Sequence, residues 1–168
     1  MELKRKETGI YVLPEGYHTA TPFIIVKGAA RLMDFLKNAF DAVEITRVPG
    51  DKGKLGHAEM RIGNSVIMMF DAQEEWPETP GFLRLYIEDC DATYEKALKA
   101  GAFSVTKPTN MPWGDRVSRV RDPFGNLWWI QTRIENLTAD EINGRFTEKK
   151  YIDAMKYVQS AKIFASKN

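Results

Sequence analysis

The chain repeats itself, and that repetition limits the folds open to it. Gly63-Asn64 recurs as Gly125-Asn126, 62 positions on, and Ala42 recurs as Ala102, 60 positions on. Each Gly-Asn pair stands between two strand-like runs, HAEMRI and SVIMMF in the first half, RVSRVR and LWWIQT in the second. Upstream, in the same order, come a short apolar run (residues 21–26, TPFIIV; residues 82–87, FLRLYI), a helical stretch, and another strand-like run (residues 43–48, VEITRV; residues 103–106, FSVT). In KGAARLMDFLKNAF, Leu32, Phe35, Leu36 and Phe40 recur at helical spacing. In the second half Asp91 reads as the N-cap of TYEKALKA, with Lys99 in the last turn and Gly101 as a left-handed stop. Each half therefore reads β-α-β-β-β, the signature of an internal duplication. PGDKGKLG and PTNMPWG read as the connecting loops.

The last hairpin turns on Asp122-Pro123-Phe124-Gly125-Asn126, which joins a fixed φ, a residue tolerant of φ > 0 and two side chains that bond their own backbone. After the repeats, Thr138-Ala-Asp-Glu141 has capping-box spacing. A second helix start at Thr147 leads into Ile152, Met155, Val158 and Phe164, an amphipathic tail expected to pack on its own domain or on a partner subunit. The expected organisation is a polar arm (1–14), a first module (15–79), a second module (80–136) and a helical tail (137–168). The fold class is α+β, with eight strands in a mixed arrangement.

The chain is long enough, at 168 residues, to bury a sizeable interior. With 24 basic and 23 acidic residues it has a formal charge of +1, so no broad field draws it to nucleic acid or a membrane surface. No apolar run approaches membrane-spanning length, and the start MELKRKETGIY lacks the apolar core of a signal peptide. The single cysteine, Cys90, cannot form an internal disulfide, which points to a reducing, cytoplasmic setting.

Two such modules, with Asp-Pro-Phe-Gly before the last strand, resemble the glyoxalase/bleomycin-resistance (vicinal oxygen chelate) superfamily, and within it the PhnB-like branch. PEGYHTATPFIIVKGAARLMDF, GHAEMRIGNSVIMMFDA, GDRVSRVRDPFGNLWW and ENLTADE carry the resemblance, in order, over residues 14–139. It implies paired modules whose strands form a cupped sheet holding a metal or a small ligand, commonly in dimers that exchange modules. Metal enzymes of the superfamily place His and Glu ligands on the first and last strand of each module. Carried onto this chain, those places fall near Thr21, within residues 66–69, near Phe82 and near Trp129, and none is His, Asp or Glu. No metal and no cofactor is therefore expected at the usual centre.

The remaining candidates are few. His57 and Glu59 alternate on one strand and share a face, an arrangement suited to a general base or to two donors of a displaced metal site. His18 lies among turn residues without a partner in register. Trp128 and Trp129 face opposite ways, one into the helix-side core and the other into the cup, where a flat ring suits stacking with an organic ligand. Trp113, Arg116, Trp129 and Gln131 are taken with His57 and Glu59 as the ligand-binding set. Of Arg116, Arg119 and Arg121, one turned inward would hold an anionic group. Met60, Met68, Met69 and Phe70 read as core or as an adaptable pocket lining. Cys90 has no neighbouring base to activate it.

The expected function is metal-free binding of a small organic molecule, in a cup formed at a homodimer interface, without nucleic-acid or membrane partners. The alternatives are a lyase, isomerase or dioxygenase-type enzyme using His57 and Glu59, and an interaction protein whose cup is filled. A homodimer is expected because a lone module leaves a sheet edge and half an apolar cup uncovered.

Overall fold

The computed structural model describes residues 8–163, so Phe164 of the expected tail helix and the first seven residues lie outside the described residues. The chain divides into two compact units at Thr79/Pro80, with residues 38–40 grouped with the second. The first contains β1 (Phe23–Val26), α1 (Ala29–Phe40), β2 (Val43–Pro49), β3 (Leu55–Ile62) and β4 (Ser65–Asp71). The second contains β5 (Phe82–Tyr86), α2 (Cys90–Lys99), β6 (Phe103–Asn110), β7 (Asp115–Arg121) and β8 (Leu127–Arg133), followed by α3 (Ala139–Arg145) and α4 (Lys149–Ser160). The sheets have one topology, β1-β4-β3-β2 and β5-β8-β7-β6, each with its first strand parallel to its last and the other pairs antiparallel. The duplication and the α+β class follow directly. Among the described residues no helix is long and apolar enough to cross a membrane.

Alternation along the strands sets which side chains are buried. In the first sheet Ile24, Val26, Ala58, Met60, Ile67 and Met69 form the buried face. α1 starts at Gly28, whose φ of 97° suits a glycine, and has no side-chain cap of its own. Asp71 serves instead: its Oδ1 accepts from the amides of Gly28 (2.6 Å) and Ala29 (3.1 Å), and its Oδ2 accepts from Leu55 (2.7 Å). Burial pushes the Asp71 carboxyl up, but these three amides outweigh it and hold the group below its ordinary range. The helix ends match as well. Asp41 takes a left-handed φ of 53° where its counterpart Gly101 has 101°. Ala42 donates to Leu36 O, six residues back, and Ala102 to Ala97 O, five back, so both helices close with a backbone bond from the residue after the left-handed one.

Three local expectations are corrected. Asp89, not Asp91, caps α2, its Oδ1 accepting from the Ala92 amide at 3.0 Å. Asp91 is held in the first turn by Arg116. β6 runs to Asn110 through part of the expected loop, Pro108 included. β6 is an edge strand, where a missing N–H costs no ladder bond. Finally, α4 is capped at Glu148 rather than Thr147. The capping box at Thr138 and Glu141 forms as its spacing predicts.

The DPFGN turn is organised by Asp122, 1% exposed. Its carboxylate accepts from the amides of Phe124 and Asn126, the Asn126 Nδ2 and the Trp128 Nε1, all at 2.8–2.9 Å. Burial pushes its pKa up, and these donors offset only part of that rise. Asp122→Ala should leave buried donors unpaired and cost about 3 kcal/mol or more in urea unfolding. An unchanged midpoint would show that the network adds nothing to stability.

Candidate functional site

Each sheet presents a second face, opposite its buried one. In the first unit it carries Phe23 of β1, Met68 and Phe70 of β4, and His57 and Glu59 of β3, aligned by the pairings Phe23↔Met68 and Glu59↔Met68. His57 Nε2 lies 2.9 Å from Glu59 Oε1. The carboxylate can only accept, so Nε2 is the ring nitrogen that donates to it. Tyr17 OH donates to the other carboxylate oxygen, Oε2. Bonds from His57 and then Tyr17 hold the Glu59 carboxyl below its ordinary range, and the same bond raises the Tyr17 phenol. Beside this chain of bonds runs an aromatic line, with ring centroids 6.0 Å apart for Phe23–His57, 5.3 Å for Phe23–Phe70 and 5.8 Å for Phe70–Trp76.

In the second unit the corresponding face carries Arg119 of β7, Trp129 of β8 and Arg84 of β5 in one register row. The Trp129 ring meets two guanidinium carbons, Arg84 at 4.3 Å and Arg119 at 4.0 Å from its centroid. Phe82 stacks with it at 6.3 Å and 15°. In the next row Gln131 donates to Tyr86 OH at 3.1 Å and to Asp115, which also accepts from Arg133. Phe82 and Tyr86 are 58% and 63% exposed. Trp113 packs with Trp129 and Met155 against Met111, Val117 and Val158, so α4 lies over part of this face. The loop that carries Trp113 turns at Gly114, where φ is 83° and a Cβ would meet Glu135 O at 2.5 Å.

Five of the six expected ligand residues thus fall on two faces, His57 with Glu59 on one and Trp113, Trp129 and Gln131 on the other. Arg116 does not join them. It points to the α2 side, bonded to Asp91 and to Asn110 Oδ1 (2.8 Å), and its neighbour three places on, Arg119, takes the inward position. Tyr17 and Arg84 join these faces without any local sequence signal that marks them. Trp128 is fully buried, opposite in direction to Trp129. Burial raises the Cys90 thiol, which contacts Ser118 Oγ and the Ile130 carbonyl at 3.4 Å. Among the described residues, no group of three or more His, Cys, Asp or Glu side chains could hold a metal ion.

The family model for the glyoxalase/bleomycin resistance protein/dioxygenase superfamily matches residues 17–130. The chain belongs to that superfamily. An uncharacterized protein of Mycobacterium bovis is 37% identical over 140 residues, 77% of this chain and 92% of its own length. Among solved structures, TioX from Micromonospora sp. ML1 superposes with a TM-score of 0.61 at 23% identity, over 70% of this chain and 99% of that one. A PhnB protein from Bacillus cereus does so with 0.54 at 18%, over 68% and 99%. Both share the fold with this superfamily member.

The bonded state of Glu59 has a pH signature. A carboxyl held low in the folded chain adds stability that is present above the ordinary carboxylate range and lost as pH falls through its folded pKa. The Tm difference between the wild type and Glu59→Gln should be widest near neutral pH and close in acid. A gap that does not change with pH would show that Glu59 is not bonded as described.

Proposed function

We propose that the protein binds a flat organic molecule on the partly covered sheet face of its second module that carries Trp129, without a divalent metal. The observation that supports this most is the side chain at the last-strand position, Trp129. Where the superfamily's metal enzymes need a carboxylate, an indole meets two guanidinium groups beside an exposed Phe82. Thr21, Met68 and Phe82 add no strong donor at the other places, and a divalent ion without compensating ligands carries a large desolvation cost. A flat ligand can extend the existing Phe82–Trp129 stack, with Tyr86 at its edge.

The same reading includes a homodimer. β1 and β5 are terminal strands of their sheets, and each exposes an aromatic residue, Phe23 at 46% and Phe82 at 58%. A second copy would cover both apolar residues and strand edges. Light scattering at micromolar concentration should give twice the monomer mass, and a monomer would remove this part of the proposal.

A second reading, acid–base catalysis, has its own support in the His57–Glu59–Tyr17 chain. The carboxylate accepts from Nε2 and so orients the imidazole for proton transfer, as a lyase or isomerase would need. Two measurements separate the readings. Purified protein should carry no stoichiometric zinc, nickel or manganese after desalting, and flat aromatic compounds should quench its tryptophan emission in the wild type but not in Trp129→Ala. Stoichiometric metal whose removal abolishes turnover would overturn the metal-free binding reading. Turnover that is lost in His57→Ala while quenching persists would establish the second.

A further inference from the structure

Among the described residues, four buried side-chain atoms have no hydrogen-bond partner: Thr106 Oγ1, Arg119 Nε, Trp129 Nε1 and Gln131 Oε1. Buried polar groups are nearly always paired, so each exception calls for an explanation. These four share one location. Thr106 pairs with Arg119 and Arg119 with Trp129 in a single row across β6, β7 and β8, and Gln131 follows on the same face of β8. Paired residues project to the same side, so two N–H donors, a hydroxyl and an amide oxygen lie on one face of the sheet.

The charge is unbalanced as well. Arg119 is only 7% exposed, yet its guanidinium meets the Trp129 ring and the Val158 carbonyl, with the Arg84 guanidinium against the same ring. Arg116 and Arg133, in the same sheet, pair with Asp91 and Asp115. Burial, and then the charge of Arg84, lower the pKa of Arg119. A buried cation without an anion is costly. What does meet the arginines is backbone: Nη1 of Arg119 donates to Val158 O, in the last turn of α4, at 2.8 Å, and Arg121 donates to Ile163 O, three residues past that helix. The carbonyls of that last turn carry the negative pole of the helix.

We infer that this row is an anion site, and that the end of α4 occupies it in place of a ligand. The ligand class is a planar organic acid. Its carboxylate would replace the Val158 carbonyl at Arg119 Nη1 and accept from Trp129 Nε1, its ring would stack on the Phe82–Trp129 side, and a donor on it would reach Gln131 Oε1. The inference rests on the proposed binding of a flat molecule and adds its charge, its orientation and the segment that competes with it.

The test uses the full chain, naphthalene-2-carboxylate, and its uncharged isostere naphthalene-2-carboxamide, with calorimetric titration. The carboxylate should bind at least about tenfold tighter than the amide, and Arg119→Gln should remove that difference. Tyr157→Phe removes the acceptor for the Lys107 amide that ties α4 down, and should tighten carboxylate binding about twofold. Because it removes an uncompensated charge, Arg119→Gln should keep or raise the melting temperature. A clear fall would make Arg119 a structural anchor of α4 and overturn the inference. Equal binding of acid and amide would leave the flat-ligand reading standing and overturn the anion site. Binding of neither, to the wild type or to Tyr157→Phe, would overturn both.

Discussion

The second module depends on one buried carboxylate. Asp122 draws the backbone of its own turn, the Asn126 amide and the Trp128 indole onto two oxygens. Asn126 then passes the constraint on, its Oδ1 accepting from the Gly81 amide at 2.8 Å while Leu127 donates to Gly81 O at 2.9 Å. Gly81 immediately precedes β5, an edge strand held on one side only, by β8. The register Arg84↔Trp129 therefore begins at the turn. Without that anchor a strand of this length, with exposed Phe82 and Tyr86, would be free to slip, and a one-residue slip would turn Arg84 away from the indole. Asp-Pro-Phe-Gly-Asn is thus the device that places the first strand of the module beside the last.

The first module has the same topology and a different anchor. Among the described residues, the side-chain bond at its Gly63-Asn64 hairpin is an exposed one, from Ser65 Oγ to Asn64 Oδ1. The constraint sits at the other end of the last strand, where Asp71 gathers the start of α1 and the start of β3. The two halves have diverged in what they show as well as in how they are held. One face carries a carboxylate linked to an imidazole and a phenol, suited to moving protons. The other carries two guanidinium groups around an indole, suited to holding a flat, negatively charged group. Duplication kept the scaffold and let the faces acquire different chemistry.

Much of the scaffold was legible because it is written in short-range patterns: strand alternation, the spacing of Leu32, Leu36 and Phe40, and the Gly-Asn turns. The site was less so, for reasons visible in particular residues. β7 is buried on both sides, by α2 on one and by α4 on the other, so its polar and apolar residues do not sort by face. Ser118 looks outward by composition, yet it meets Cys90 in the interior. Choosing among Arg116, Arg119 and Arg121 requires knowing that Asp91 lies across from Arg116, a contact 25 positions away in the chain. The same contact explains the misplaced helix start: Asp89 and Asp91 are equally good caps by type, and Arg116 claims one of them. Tyr17 lies in the irregular stretch before β1, 42 positions from Glu59, and nothing local marks it as a partner.

The placement of α4 also resolves the stability problem that Arg119 raises. A buried guanidinium can be balanced by a carboxylate, but a fixed internal acid would close the site to any other anion. A backbone carbonyl carries only part of a charge, so it relieves the desolvation cost incompletely and yields to a full anion. Val158 O comes from the last turn of α4 and Ile163 O from the chain just past it. Tyr157 and Val158 hold the helix to β6 and to Met111 and Val117, which keeps the arginine covered when no ligand is bound. The buried charge is tolerated because its cover is both near and exchangeable. That combination is difficult to explain for a helix whose role is packing alone, since an apolar residue at position 119 would pack against α4 with no charge to bury.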